Sequence, residues 1–211
     1  MTKGRLEAFS DAVIAILITI LVLELTVPHG AGFEALRPLI PVFLAYLLSF
    51  VVLAIYWNNH HHLFHATHHI NGRILWANMH LLFWLSLIPF TTGWMGENDF
   101  APLPTAAYGA DLLMAGVAYT ILQRALIRQG SIDPKVAAAM GRNWKGKASA
   151  ALYALSVPLA FVHQAIAGVI YAGVALMWLI PDRRIERVLD HYTGQAAAQA
   201  TDSTPAESDL A

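Results

Sequence analysis

From Ala148 to Ile180 the chain runs without one charged side chain. As a single helix, at ~1.5 Å per residue, that stretch would reach ~50 Å, far beyond a hydrocarbon layer about 30 Å thick. It is too long for one crossing and too apolar for the surface of a soluble domain. Pro158 and the pair His163-Gln164 near its middle therefore read as the break between two short spans joined by a tight turn. Four apolar runs precede it, at 9–27, 39–57, 74–94 and 103–122, and the final pair falls at 148–162 and 165–180. Each long run is close to the ~20 residues that a crossing needs. The expected fold is all-α, a polytopic membrane protein with six transmembrane helices filling residues 1–190.

Composition agrees. Only 13% of residues are charged and 57% are hydrophobic, against about 25% charged in an ordinary soluble domain. A soluble enzyme domain and a wholly disordered chain are excluded on that ground. A net charge of −1 with no basic run argues against a nucleic-acid partner. The chain has no cysteine, which removes thiolate nucleophiles, cysteine-ligated zinc and iron–sulfur clusters.

Charge placement tests the span count independently, because Lys and Arg gather on the cytoplasmic side of membrane proteins. With six spans, one side holds Lys3, Arg5, Arg73, Arg124, Arg128, Lys135, Arg142, Lys145, Lys147, Arg183, Arg184 and Arg187. The other side holds Arg37 alone among its cations, beside Glu34, Glu97 and Asp99. Both termini are thus expected in the cytoplasm, and an odd number of spans would spoil the segregation.

Two segments fall outside the bundle. Residues 130–145 can form a short cytoplasmic helix starting after Asp133 with Pro134 at its first position. Residues 191–211, rich in Ala, Gln, Ser, Thr and Asp, are predicted to be a disordered cytoplasmic tail. Lys3 and Arg5 before an apolar run resemble a signal peptide. However, Asp11 and Glu24 bracket that run and no Ala-x-Ala site follows, so it reads as a retained helix.

The first helix is unlike the rest. Its uncharged core, Ala12 to Leu23, covers only about 18 Å of the hydrocarbon layer. To cross, it must carry Ser10 and Asp11 in at one end and Glu24 at the other. An ionisable group at such depth costs about 2.5 kcal/mol or more unless it faces protein or water, so this helix belongs inside an assembly. At ~100° per residue, Ile16, Ile20 and Leu23 form one stripe with Thr19 beside them, and Asp11 lies nearly opposite Ile16. Ordinary helix packing would also account for an aliphatic stripe. In the third helix, Pro89 removes one backbone hydrogen bond, which Thr91, Thr92 or a neighbouring helix could satisfy.

Six of the ten histidines, His60, His61, His62, His65, His68 and His69, lie between the second and third spans. Imidazoles three and four residues apart on a helix can share a metal ion. No carboxylate lies within the cluster to orient such ligands, so a helix end at the cytoplasmic interface is the preferred reading and no metal site is assigned. Arg5 and Asp11 sit at the same membrane depth as His60 and His61. An Asp–Arg–His network there would offset the cost of burying each member.

The run Arg5-Leu6-Glu7-Ala8-Phe9-Ser10-Asp11-Ala12, leading into an aliphatic helix, resembles the signature first helix of the transmembrane protein 175 family. That is the family of the lysosomal potassium channel, and it has a bacterial branch. Trp57-Asn58-Asn59-His60-His61 is similar to the family's second-helix motif, and Asn78, Pro89-Phe90 and the closing 178–184 segment fit the same pattern. The resemblance covers residues 5–187. It implies a multi-pass protein of the bacterial inner membrane, one six-helix repeat per subunit, assembled as a homotetramer around a central pore lined by the first helix. It also implies conduction of potassium, and less selectively of other monovalent cations, with no cofactor and no enzymatic activity. Ile16, Thr19, Ile20 and Leu23 would line the pore. Arg5, Phe9, Ser10 and Asp11, with His60 and His61, would form the structural and gating network.

Carried over, the aliphatic rings would close the pore by dewetting and the Thr19 hydroxyls would replace part of a cation's hydration shell. A histidine in the network could make gating sensitive to pH. Two other readings compete. A proton-coupled transporter needs an ionisable group near mid-membrane, for which Asp111, then Glu24, are the candidates. A metal-dependent membrane enzyme would need the histidine cluster, and lacks carboxylates beyond Asp11.

Overall fold

The computed structural model describes residues 2–132, 134, 137–138 and 144–180. Within them lie helices α1 (Lys3–Leu23), α2 (Ile40–His65), α3 (Gly72–Glu97), α4 (Pro102–Arg128), α5 (Trp144–Val162) and α6 (Gln164–Leu179). Two 3₁₀ turns, Phe33–Ala35 and Arg37–Leu39, lead into α2. Among the described residues there is no β-strand, and Thr67 and Ile132 make one isolated antiparallel bridge. The chain is all-α. Helices α1, α2, α3 and α4 are long and apolar enough to cross a membrane, and α6 is a shorter apolar helix.

Each helix runs back along its predecessor, so Lys3, Arg5, Arg73, Arg124, Arg128 and Lys145 lie at one end of the bundle and Glu24, Glu34, Glu97 and Asp99, with Arg37, at the other. These are called the basic and acidic ends. Several helices outrun the apolar stretches that predict them. Helix α1 begins at Lys3 and stops at Leu23, where the expected span ran from 9 to 27. Helix α2 continues through His60, His61 and His62 to His65. Hydropathy marks where a membrane begins, whereas a helix ends where its backbone groups find other partners. At the start of α3 the partner is Asn71, whose Oδ1 accepts from the Ile74 amide at 3.0 Å.

The break in the long uncharged stretch is a single residue. Helix α5 runs through Pro158, and the chain turns at His163, an extended residue whose Nδ1 accepts from the Ala165 amide at 3.3 Å. At Pro89 in α3, Thr92 Oγ1 donates to the Ile88 carbonyl at 2.6 Å and Thr91 Oγ1 lies 3.2 Å from the carbonyls of Leu87 and Ile88. Neither is the Leu85 carbonyl that Pro89 leaves without a donor.

Lipid tails are as apolar as leucine, so close approach and polar contacts hold such helices together. Gly96 of α3 meets α2 so closely that a Cβ there would lie 2.9 Å from Val42 Cα. A Cβ on Gly109 of α4 would collide with the Tyr171 and Ser156 hydroxyls, and Tyr171 Oη donates to the Thr105 carbonyl at 2.8 Å. Ser49 of α2 bonds both Thr92 of α3, at 2.6 Å, and Tyr108 of α4, at 2.9 Å. Helix α1 packs against α2 and α3 at the edge of this bundle. The expected helix after Asp133 falls largely outside the described residues, and the predicted tail falls wholly outside them.

Candidate functional site

Helix α1 has two different faces. Leu6, Ser10, Ile14, Leu17 and Leu21 recur every three or four residues and are buried against α2 and α3. About a third of a turn away, Ile16 is 56% exposed and Leu23 79% exposed. Thr19 is exposed beside them and Ile20 is half-buried at the edge of the stripe. Phe9, at 47%, lies on the same face toward the basic end. Of the four positions expected to line a pore, Ile16, Thr19 and Leu23 thus point away from their own bundle and Ile20 lies at the border. Thr19 Oγ1 donates to the Ile16 carbonyl at 2.7 Å. That bond uses the hydroxyl's one proton and leaves its lone pairs free to meet a cation.

The start of α1 is fixed by a buried chain of three side chains on three helices. Ser10 Oγ donates to the Leu6 carbonyl at 2.8 Å, so it can only accept from Asn78 Nδ2, 2.9 Å away. The amide therefore turns its Oδ1 to His60, which donates from Nε2 at 2.8 Å. Ser10, His60 and Asn78 are all fully buried. The His60 ring stacks on Phe64 at 4.4 Å, while its buried Nδ1 has no hydrogen-bond partner among the described residues. The same is true of Asp11 Oδ1.

Two contacts at the surface reinforce this anchor. Lys3 Nζ donates to the His65 carbonyl at 3.1 Å, at the C-terminus of α2 where a cation is favoured. Glu7 Oε1 lies 3.6 Å from His61 Nδ1. The structure thus brings Ser10 and His60 together through Asn78, and pairs His61 with Glu7. Arg5 is exposed and makes no ion pair among the described residues, and Asp11 does not join the chain through Ser10.

Asn78 and Glu7 were absent from the expected set. Glu7 lies four residues from both Lys3 and Asp11, which marks a polar flank on α1. Asn78, an amide within an apolar helix, was the signal available for the network's central member.

Asp111 sits in α4 at 4% exposure. Thr91 Oγ1 lies 3.1 Å from its Oδ2, while its Oδ1 has no partner among the described residues. Among those residues no three His, Asp or Glu side chains are grouped as metal ligands would be.

Comparison with known proteins identifies what this arrangement belongs to. Residues 5–89 match the family described as endosomal/lysosomal potassium channel TMEM175. A potassium channel of Chryseobacterium is 52% identical over 189 residues, covering 90% of this chain and 98% of that one. A potassium channel of Streptomyces collinus is 33% identical over 171 residues, 76% of this chain and 83% of its own. The crystal structure of a lysosomal potassium-selective channel TMEM175 homolog from Chamaesiphon minutus superposes with a TM-score of 0.74 at 27% identity, over 84% of this chain and 96% of that one. The family is one of ion channels, not enzymes, and the chain belongs to it: it is a member of the TMEM175 potassium channels.

Proposed function

We propose that four copies of this chain assemble around a central axis lined by α1 and conduct potassium, with weaker passage of other monovalent cations. The observation that carries the reading is the outward face of α1, where Ile16 and Leu23 are largely exposed although the helix is anchored to its own bundle. Lipid would accept the aliphatic side chains alone; what sets this stripe apart is Thr19 within it and the ionisable Asp11 and Glu24 at its ends, which lipid disfavours and a four-fold pore accommodates.

Rings of Ile16, Ile20 and Leu23 make an apolar constriction that excludes ions by dewetting when narrow and passes them once widened enough to hold water. The ring of Thr19 oxygens replaces part of the cation's hydration shell between them. Within the motif, Ser10 held to His60 through Asn78 and His61 against Glu7 set the angle at which α1 leaves the basic end, and so the width of the constriction, while Arg5, Phe9 and Asp11 are left for contacts made in the assembly.

In the membrane the chain makes six crossings, with α5 and α6 as a pair of short ones. The basic end and both termini lie in the cytoplasm of a bacterial cell, the membrane being the inner one.

The test is flux from potassium-loaded liposomes holding the purified protein, under potassium and sodium gradients. Potassium-preferring flux that needs no proton gradient and changes with Ile16 or Leu23 substitution is the expected result. Asp111 supports a second reading, a proton-coupled transporter, because a buried carboxyl with one unpartnered oxygen sits away from α1 in the bundle. Flux that appears only with a coupled proton gradient would favour it.

A further inference from the structure

A groove of about 510 Å³ runs between α1 and α3 toward the acidic end. Ile20 forms one of its edges and also belongs to the outward stripe of α1, so the groove opens directly beside the proposed pore face. Its wall on α3 is aromatic: Phe90 is 66% exposed and stacks with Trp94, ring centroids 6.1 Å apart. Two carboxylates complete it, Glu24 and Glu97, and no cationic side chain lines it. The Glu24 carboxylate is seated by a missing side chain, since a Cβ on Gly93 would come within 2.8 Å of Glu24 Oε2.

In the proposed four-fold assembly each α1 has a neighbouring subunit at its side, and this groove, beside the pore face, lies where that neighbour can cover it. Two carboxylates enclosed against another protein surface must be neutralised, and a cation on that surface does so without protonating them. The acidic end offers one arginine or lysine, Arg37, exposed and without an ion pair among the described residues. Arg37 is flanked by apolar side chains that its own bundle leaves uncovered, Phe33 at 91% and Leu36 at 49% exposure, while the exposed Glu34 of the same segment stays in water for the charge match to hold. A guanidinium bonds a carboxylate in a planar fork and stacks on an aromatic face, and the groove supplies both surfaces.

We infer that the groove between α1 and α3 receives the segment 33–37 of a second copy of this chain, with Arg37 of that copy against Glu97 and Glu24 and its Phe33 and Leu36 on the aromatic wall. The contact is heterologous, groove to segment, and a heterologous contact repeated by a quarter turn closes into a ring. It rests on the tetramer reading above and specifies which surfaces meet on the outer side.

The absence of cysteine from the chain makes the test direct. An Arg–Glu pair holds its backbones farther apart than the roughly 7 Å a disulfide tolerates, so the double variant Arg37→Cys, Glu97→Cys is treated in membranes with a short bifunctional thiol reagent. The expected result is a ladder on a denaturing gel rising to four chains, with none from either single variant. Cross-linking confined to one chain, or an intact tetramer that yields no ladder, overturns the docking and leaves the channel reading standing. If the cysteine-free parent has the native mass of a monomer and carries no potassium flux, both readings fall.

Charge reversal gives a second measurement that does not depend on the reagent. Arg37→Glu is expected to lower the tetramer fraction in detergent at least tenfold, and adding Glu97→Arg to restore it. Absence of rescue with a folded double variant counts against the pair.

Discussion

Asn78 accepts a hydrogen bond from His60 at 2.8 Å, at a point where neither side chain touches solvent. Because the same amide donates to Ser10, one side chain on α3 sets the positions of both α1 and α2. Replacing Asn78 with Ala would strand a buried N–H on His60 and remove the donor to Ser10. The expected cost is about 1–3 kcal/mol, read as a lower unfolding temperature of the purified protein in detergent. An unchanged temperature would show that the chain of bonds does not support the fold.

A much smaller effect is expected at Glu7. Its pairing with His61 is 3.6 Å long and His61 is 45% exposed. Exposed pairs of this kind contribute about 0–1 kcal/mol. Glu7→Gln should therefore leave the unfolding temperature within a small margin of the parent, and a drop as large as that of Asn78→Ala would assign Glu7 a buried role it does not have here.

Ile16→Asn and Leu23→Ala alter the wall of the proposed constriction in different ways, one by adding polarity and the other by removing bulk. Both should raise basal potassium flux from liposomes or weaken the preference for potassium over sodium. Flux and preference identical to the parent in both variants would place the pore elsewhere.

Thr19→Val keeps the shape of the side chain and removes its oxygen. The potassium preference should fall while total cation flux persists, and Thr19→Ser should retain most of the preference. The hydroxyl proton is already committed to the Ile16 carbonyl, so the oxygen's acceptor capacity is what this pair of variants isolates.

At Gly109, a methyl group would meet the hydroxyls of Tyr171 and Ser156. Gly109→Ala should force α6 away from α4 and cost about 1–3 kcal/mol, in the range of overpacked interiors. Trimming Tyr171 to Phe in the same chain removes the clashing oxygen, and partial recovery of the unfolding temperature is the expected result.

Much of this architecture was legible in the sequence, for identifiable reasons. Apolar runs located the helices because a bilayer demands ~20 such residues, and the 3.6-residue period placed Ile16, Thr19, Ile20 and Leu23 on one face. Helix ends were less legible: Lys3 to Ala8 and His60 to His65 are polar enough to leave the membrane, yet nothing in them stops a helix. Pro158 and the His163-Gln164 pair mark the α5–α6 break in the sequence, with the spans parted at 163–164; the structure turns at His163, whose imidazole caps the next helix, while α5 runs on through Pro158.

Partnerships between helices were the least legible. Asp11 and Arg5 had the right depth and charge to join His60, but the rotation of α1 against α2 and α3 gives that place to Ser10 and Asn78. Such rotations depend on packing spread over three helices, which no single stretch of sequence contains.

The helices of the bundle differ in length, and a bilayer responds to length. Helices α2, α3 and α4, at 26, 26 and 27 residues, reach ~39–40 Å, whereas α5 and α6, at 19 and 16, reach only about 28 and 24 Å. In the proposed six-crossing topology one flank of the chain is then thinner than an average hydrocarbon layer, and lipid against it must compress, at a cost of a fraction of a kcal/mol per Å of mismatch. Acyl-chain length thereby becomes a thermodynamic variable of the protein itself: shorter-chained lipids would gather along α5 and α6, and a thicker membrane would load the helices that brace α1.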